Sequence, residues 1–101
     1  MKRIRYRRAV LAEMLRSKAF TRPQLDALPE CQASIRRSLE VNEFAQEYGR
    51  PSRTPASYVL YDLRQQRGLL KWIGTGQYNA KIWRLTPMGI AVVESYLARG
   101  K

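Results

Sequence analysis

The sequence contains no histidine and only one cysteine, Cys31. An intramolecular disulfide is therefore excluded, and so are zinc sites of the usual cysteine and histidine type. Without histidine the commonest general base is missing, together with the Ser-His and Cys-His pairs of nucleophilic catalysis. We therefore expect a protein that is not an enzyme and that needs no metal and no cofactor.

Long hydrophobic runs are missing too, because no apolar segment approaches the roughly 20 residues that span a bilayer. The basic start MKRIRYRR leads into AVLAEMLRSK, which Glu13 and Arg16 interrupt, so we expect no signal peptide. Low-complexity tracts and internal repeats are also absent, and 101 residues suffice for one compact core. We predict a single cytoplasmic domain over residues 1–101, without contact to a membrane and associated with the nucleoid if it binds DNA.

Acidic residues are scarce, since eight Asp and Glu stand against nineteen Lys and Arg, a formal charge of +11. Such an excess is costly in a compact fold because like charges repel, and a polyanionic partner would relieve it. Residues 1–8 are basic and are predicted to form an N-terminal arm along a phosphate backbone or, alternatively, a disordered solubilising end. Residues 26–47 are acidic on balance, and residues 50–84 hold seven basic side chains beside Asp62. This segregation favours a nucleic acid partner, while a merely soluble basic surface stays open.

Carboxylates give little support for catalysis. Glu40, Glu43 and Glu47 recur at three and four residues, which places them on one face of a predicted helix. Arg36 and Arg37 lie just upstream, so this spacing indicates a solvated helix face rather than an acid–base pair or a metal site.

The apolar spacing and the capping residues predict a mainly helical chain. One helix is expected to begin at Thr54-Pro55. Its buried face is expected to hold Ala56, Val59, Leu60 and Leu63. Helices are predicted over residues 5–18, from the capping box at Thr21 to Leu28, from Glu30 to Gly49 as one long or two short helices, over residues 54–67, and from Thr86-Pro87 onwards.

One hairpin is predicted between the last two helices. Residues 69–73 and 81–86 read as strands, and the glycine-containing segment 74–80 joins them. Burial in these strands is expected for both Trp72 and Trp83, which would leave no stacking platform for unpaired bases. Trp83 and Leu85 are expected to share the core-side face, with Lys81 and Arg84 directed differently. The fold class is therefore mainly α with a small β-hairpin wing at 69–86, a winged helix-turn-helix.

This arrangement resembles the winged-helix transcriptional regulators, in particular the MarR-like and PadR-like groups. Their ending is a helix, a Gly-Leu-hydrophobic strand start, a wing, and a Leu-Thr-x-x-Gly helix opening. Leu63, Gly68-Leu69-Leu70 and Leu85-Thr86-Pro87-Met88-Gly89 match it here, and residues 42–49 are similar to the first helix of a helix-turn-helix. The sequence departs from the pattern in two ways: Leu63 stands five residues before Gly68 instead of four, and the capped segment Thr21–Leu39 is additional. The resemblance implies a homodimer through the terminal helices, while Ile90, Val93 and Leu97 could equally complete the core of a monomer.

The helix over residues 54–67 is predicted to enter the major groove of duplex DNA, because it leads directly into the wing. The alternative recognition helix, residues 32–44, runs into acidic residues that phosphates would repel. The basic side chains before the helix, together with its N-terminal amides, are expected to hold a phosphate. Tyr58 and Tyr61 either meet bases or pack against a neighbouring helix or a dimer partner. The predicted DNA-binding residues are Arg50, Arg53, Thr54, Ser57, Tyr58, Tyr61, Arg64, Gln65, Lys71, Gln77, Asn79, Lys81 and Arg84.

The function predicted from these features is that of a double-stranded DNA-binding protein, a small transcriptional regulator. Two alternatives remain. One is a protein-interaction adaptor of phage or plasmid type that uses a winged-helix scaffold to dock on an acidic protein. The other is RNA binding, which ranks lower because neither tryptophan is expected to be free to stack on a base.

Overall fold

The computed structural model describes residues 6–49 and 53–99. The fold of these residues is mainly helical with a two-stranded antiparallel hairpin, which confirms the predicted fold class at that level. In chain order the elements are α1 (Arg7–Arg16), α2 (Arg22–Asp26), α3 (Pro29–Val41), α4 (Glu43–Tyr48), α5 (Pro55–Gln65), β1 (Leu70–Thr75), a 3-10 turn (Gln77–Asn79), β2 (Lys81–Leu85) and α6 (Pro87–Ala98).

Four helices begin at a side-chain cap. The Oγ1 atoms of Thr21, Thr54 and Thr86 accept hydrogen bonds from the amide three residues ahead, at 3.3, 3.3 and 3.0 Å. A proline in the first turn follows each of these threonines, where the missing N–H costs nothing. The fourth cap is Asn42, whose Oδ1 accepts from the amide of Ala45 at 3.1 Å.

Asn42 also divides the segment from Glu30 to Gly49 into two helices. Its extended backbone ends α3 and its side chain starts α4, which then closes at Gly49 with a φ of 71°. The alternative recognition helix, residues 32–44, is therefore not one helix. Glu40 likewise lies on α3 while Glu43 lies on α4, so the predicted continuous carboxylate face is wrong, because a cap residue interrupts the helical period.

The core joins the two ends of the chain to its middle. Val10, Leu11 and Met14 of α1 pack with Leu25 of α2, the apolar face of α5, Leu69, and Val93 of α6. The predicted buried face of α5 is confirmed, since all four of its apolar residues belong to this cluster. Phe20 is fully buried, and its backbone exchanges two hydrogen bonds of 2.9 Å with Trp83. This bridge fastens the α1–α2 connection to β2.

The hairpin extends further than predicted. Register pairs run from Leu70 with Leu85 to Thr75 with Lys81, and a bulge at Ile73 shifts the alternation. Trp72 pairs with Trp83, but only Trp83 packs against the core, while Trp72 is 56% exposed. The expectation that both tryptophans are buried is therefore wrong, because Trp72 lies two pairs further out than Leu70, past the edge of the core.

The terminal helices pack against each other. Val93 is fully buried and Leu97 packs against the core, whereas Ile90 is exposed. Arg7 and Arg8, the last residues of the predicted basic arm, already form the first turn of α1, and residues 1–5 lie outside the described residues. Among the residues that the structure describes, no helix is long and apolar enough to cross a membrane.

Candidate nucleic-acid interface

The flank of α5 opposite its buried face is open to solvent. Tyr58 and Tyr61 are 45% and 54% exposed, and Arg64 and Gln65 are exposed on the same flank, while Ser57 is half-buried. These residues follow each other at three and four positions, so they form one strip along the helix. The predicted groove-facing strip is therefore exposed from Tyr58 to Gln65 and half-buried at Ser57.

This strip continues into the hairpin through a set of stacked side chains. The guanidinium of Arg64 lies 5.2 Å from the ring centroid of Trp83. The ammonium of Lys81 lies 6.0 Å from the same ring and 5.3 Å from the ring of Trp72. We call Arg64, Trp83, Lys81 and Trp72 the cation–aromatic stack. Attraction between cations and ring faces holds both cations at the junction of α5 and the hairpin.

Lys81 therefore shares the face of Trp83, and the expectation that it points differently is wrong. Residues 81, 83 and 85 have the same parity along β2, so alternation puts their side chains on one face. Arg84 has the opposite parity and pairs with Lys71 across the hairpin. Two like charges directly opposite each other are destabilising, and an anion between them would relieve the repulsion.

The tip of the hairpin presents Gln77, Tyr78 and Asn79 in a tight turn. The turn is closed by hydrogen bonds from Gly76 N to Ala80 O at 2.8 Å and from Ala80 N to Gln77 O at 3.1 Å. Tyr78 and Asn79 have φ angles of 56° and 60°, in the left-handed region that side chains disfavour. Tyr78 is 99% exposed, so its ring stands free at the end of the hairpin.

The first turn of α5 offers no amide to a phosphate. Pro55 has no N–H, Ala56 N donates to Asp26 Oδ1 at 2.9 Å, and the next two amides donate to Thr54. The expectation that these amides hold a phosphate is therefore wrong, since a carboxylate and a cap already accept from them. Thr54 acts as the cap itself.

Beside this turn lies a small polar cleft of about 100 Å³. Arg53 lines the cleft together with Tyr58 of α5 and Ser34, Ser38 and Asn42 from α3 and its end. Arg53 is exposed and remains a basic side chain at the start of α5, and Tyr58 borders the cleft across from α3. Arg50 lies outside the described residues.

Among residues 6–49 and 53–99, no three Cys, Asp or Glu side chains gather closely enough to hold a metal ion. Burial raises the pKa of the Cys31 thiol to about 11, so this side chain stays a neutral thiol near neutral pH.

Three residues at this surface were missed or misjudged by the sequence reasoning. Trp83 and Trp72 hold the cations of the stack, and Asp26 fixes the first turn of α5 from a position 30 residues earlier. The contact between Lys81 and Trp83 could have been predicted, because both residues have odd numbers in the same strand. The contact of Asp26 with α5 could not, because no local pattern indicates it.

Comparison with known proteins adds no relative, since no protein-family model, no curated protein and no solved structure matches this chain.

Proposed function

We propose that this protein binds double-stranded DNA as a winged helix-turn-helix, with α5 in the major groove and the hairpin as a wing on the phosphate backbone. The observation that carries the proposal is the continuous surface made by the exposed flank of α5 and the cation–aromatic stack. It sets polar and aromatic side chains beside two cations, Arg64 and Lys81, an arrangement that suits base edges flanked by phosphates.

The charge around this surface supports an anionic partner. Residues 63–93 contain five basic side chains and no acidic one. Phosphate neutralisation by Lys and Arg supplies most of the sequence-independent affinity for DNA. In this proposal Lys71 and Arg84, which repel each other across the hairpin, become phosphate contacts together with Gln77 and Asn79 at the tip.

Sequence readout falls to the flank of α5. An arginine can donate two hydrogen bonds to guanine, and a glutamine can pair with adenine in the major groove. Arg64 and Gln65 are adjacent at the end of α5 that leads to the hairpin, so we assign them to base edges. Ser57, Tyr58 and Tyr61 would meet base edges or the neighbouring phosphates.

Salt dependence of binding tests the proposal. If about six phosphates are neutralised, the logarithm of the association constant falls with the logarithm of the salt concentration with a slope of about −5. Fluorescence anisotropy on a random duplex pool at several salt concentrations measures it. Lys71→Ala should reduce the slope by about 1, whereas the matched control Lys18→Ala, on the α1–α2 connection, should leave it unchanged. A flat response to salt would contradict duplex binding.

Selection of a preferred sequence from the same pool tests the readout. Arg64→Ala and Gln65→Ala should each weaken binding at one base position by about 1–3 kcal/mol, and Lys71→Ala should weaken every sequence alike. Arg36→Ala on α3 decides the alternative recognition helix, because a loss of selectivity there would assign the base contacts to α3 instead of α5.

A protein-interaction adaptor is the second candidate, and the exposed apolar side chains at the α3–α4 junction favour it. Val41, Phe44 and Tyr48 are exposed, and the rings of Phe44 and Tyr48 lie 4.5 Å apart between centroids. Clustered exposed aromatics are common at protein interfaces. Pull-down with and without nuclease separates the two candidates, because only a contact bridged by DNA disappears after digestion.

Under this proposal the protein acts as a small cytoplasmic transcriptional regulator. A homodimer through α1 and α6 would use their outward sides, since their inner sides pack against each other. Exposed Ile90 is on α6, so Ile90→Glu should shift a dimer towards monomer in analytical ultracentrifugation.

A further inference from the structure

The large apolar side chain of Trp72 is exposed to solvent, and its indole N–H already has a hydrogen-bond acceptor. Its indole N–H donates to the carbonyl of Gly74 over 2.6 Å, so what it offers to a partner is ring surface and not a hydrogen bond. Cross-strand pairing with Trp83 and the ammonium of Lys81 fix the ring in place. Exposing so much fixed aromatic surface is unfavourable unless something flat and apolar stacks on it.

Tyr78 presents a second aromatic ring on the same hairpin. The backbone of the tip keeps it exposed through two successive residues in the left-handed region, a conformation that carries strain for residues with a Cβ. Strained backbone that persists is characteristic of binding sites. Trp72 and Tyr78 are therefore two exposed rings, one on a strand and one at the tip.

Charge complementarity identifies what stacks on them. Lys71, Lys81 and Arg84 are the charged residues of the hairpin, and none is acidic. Aromatic rings interleaved with cations bind single-stranded nucleic acid, because bases stack on the rings while the cations follow the phosphates. Paired bases inside a duplex present no free face to such rings.

We propose that Trp72 and Tyr78 stack on unpaired DNA bases next to the duplex held by α5 and that Lys81 contacts the phosphates of those bases, so that the protein prefers a duplex with a single-stranded tail. This inference rests on the proposed function, since α5 must first hold the duplex. The partner of the two rings is the unpaired strand of the same DNA, at the point where that strand leaves the duplex.

Binding to matched DNAs tests the preference. A duplex of about two helical turns is compared, at one salt concentration, with the same duplex carrying about six unpaired nucleotides, with the tail on either end of the strand. Stacking of one or two bases should make the tailed duplex bind about tenfold more tightly than the blunt one. Trp72→Ala and Tyr78→Ala should each reduce that ratio several-fold. Only Tyr78→Ala leaves the cation–aromatic stack intact, so it should do so with little change for the blunt duplex.

Trp72→Phe is the matched control, because it keeps a ring and should keep most of the preference. Both substituted residues are exposed, and thermal unfolding checks that the variants fold. Quenching of tryptophan fluorescence by the tailed duplex gives a second readout. The quenched fraction should fall in Trp72→Phe, which retains only the emission of Trp83.

Equal binding of tailed and blunt duplexes would overturn the inference and leave duplex binding intact. An undiminished preference in both Trp72→Ala and Tyr78→Ala would do the same. Tighter binding of an RNA tail than of the DNA tail, or displacement of the DNA tail by an acidic peptide, would assign the rings to another partner. Failure to bind either DNA would overturn the proposed function together with this inference.

Discussion

Gly89 lies so close to the backbone of Leu69 that a Cβ on residue 89 would stand 2.1 Å from the carbonyl oxygen of Leu69. Thr86 fixes this approach, because its N–H donates to the same oxygen at 3.0 Å and its hydroxyl donates to the carbonyl of Gly68. The hydroxyl also accepts from Gly89 N at 3.0 Å. The start of α6 is thereby held against the segment that leads into β1, with no space for a side chain at residue 89.

Gly89→Ala should therefore destabilise the fold. The new methyl group would meet backbone atoms, which cannot move aside as a flexible side chain can, and overpacking of this kind costs about 1–3 kcal/mol or more. Urea denaturation followed by circular dichroism measures the loss. The matched control is Gly74→Ala in β1, where an added Cβ meets nothing within 4 Å. Equal stability of the two variants would contradict the close approach.

The features predicted correctly from the sequence are those encoded within a few residues. The caps at Thr21, Thr54 and Thr86, and the buried face of α5, depend on neighbours one turn away, so spacing alone identifies them. The break at Asn42 was left open because Val41 and Asn42 allow both continuation and a cap. In the structure Asn42 acts as the cap, since its Oδ1 accepts from the amide of Ala45.

The features that could not be predicted from the sequence depend on how far the core extends and on contacts between distant residues. Alternation along a strand says which side chains share a face, but the depth of the core decides that Trp83 packs and Trp72 does not. Contacts such as Asp26 with Ala56 join residues far apart in sequence. The exposure of Tyr58 and Tyr61 on α5 could be predicted, because it follows from the helical period.

Asp26 connects α2 to the first turn of α5, and its loss should destabilise the protein. Asp26→Ala removes the acceptor of the Ala56 amide and should lower the free energy of unfolding by about 1–2 kcal/mol, the usual value of a helix cap. Asp26→Asn keeps an oxygen at that place and should lose less. Chemical denaturation compares the two, and an equal loss in both would show that charge, not the hydrogen bond, is what matters.

The hairpin tip should gain stability from glycine. Asn79 has a φ of 60°, which glycine adopts without the steric cost of a Cβ, so Asn79→Gly should raise the free energy of unfolding by up to about 1 kcal/mol. Gln77→Gly is the control within the same turn, since residue 77 has no positive φ, and it should not stabilise. Thermal unfolding measures both, and stabilisation by Gln77→Gly alone would contradict the strain.

Cys31 should be unreactive in the folded protein. Burial raises the pKa of its thiol from 9.0 to about 11, so at pH 8 the reactive thiolate is scarce and the side chain is also inaccessible. Reaction with a disulfide reagent should be slow in buffer and fast in denaturant. The unfolded chain loses the thiol proton at a lower pH than the folded chain does. The contribution of the protonated Cys31 thiol to the free energy of unfolding should therefore decline as the pH rises from about 9 to 11. Rapid labelling of the folded chain would contradict the burial.

Trp83 should act on DNA through the cations that it holds. Trp83→Leu leaves apolar volume in the hairpin but removes the ring face under Arg64 and Lys81, so affinity for duplex should fall. If positioning is the cause, the effects of Trp83→Leu and Arg64→Ala should overlap, and the double variant should bind more tightly than additivity predicts.

Arg67→Ala provides the matched control for this double-mutant cycle. Arg67 follows α5, is exposed, and has no ring contact among the described residues, so its effect should add to that of Trp83→Leu. Anisotropy at one salt concentration measures all the variants, and thermal unfolding confirms that each is folded. Additive effects of Trp83→Leu and Arg64→Ala would mean that the ring only supports the hairpin, and Arg64 would then reach DNA without help from Trp83.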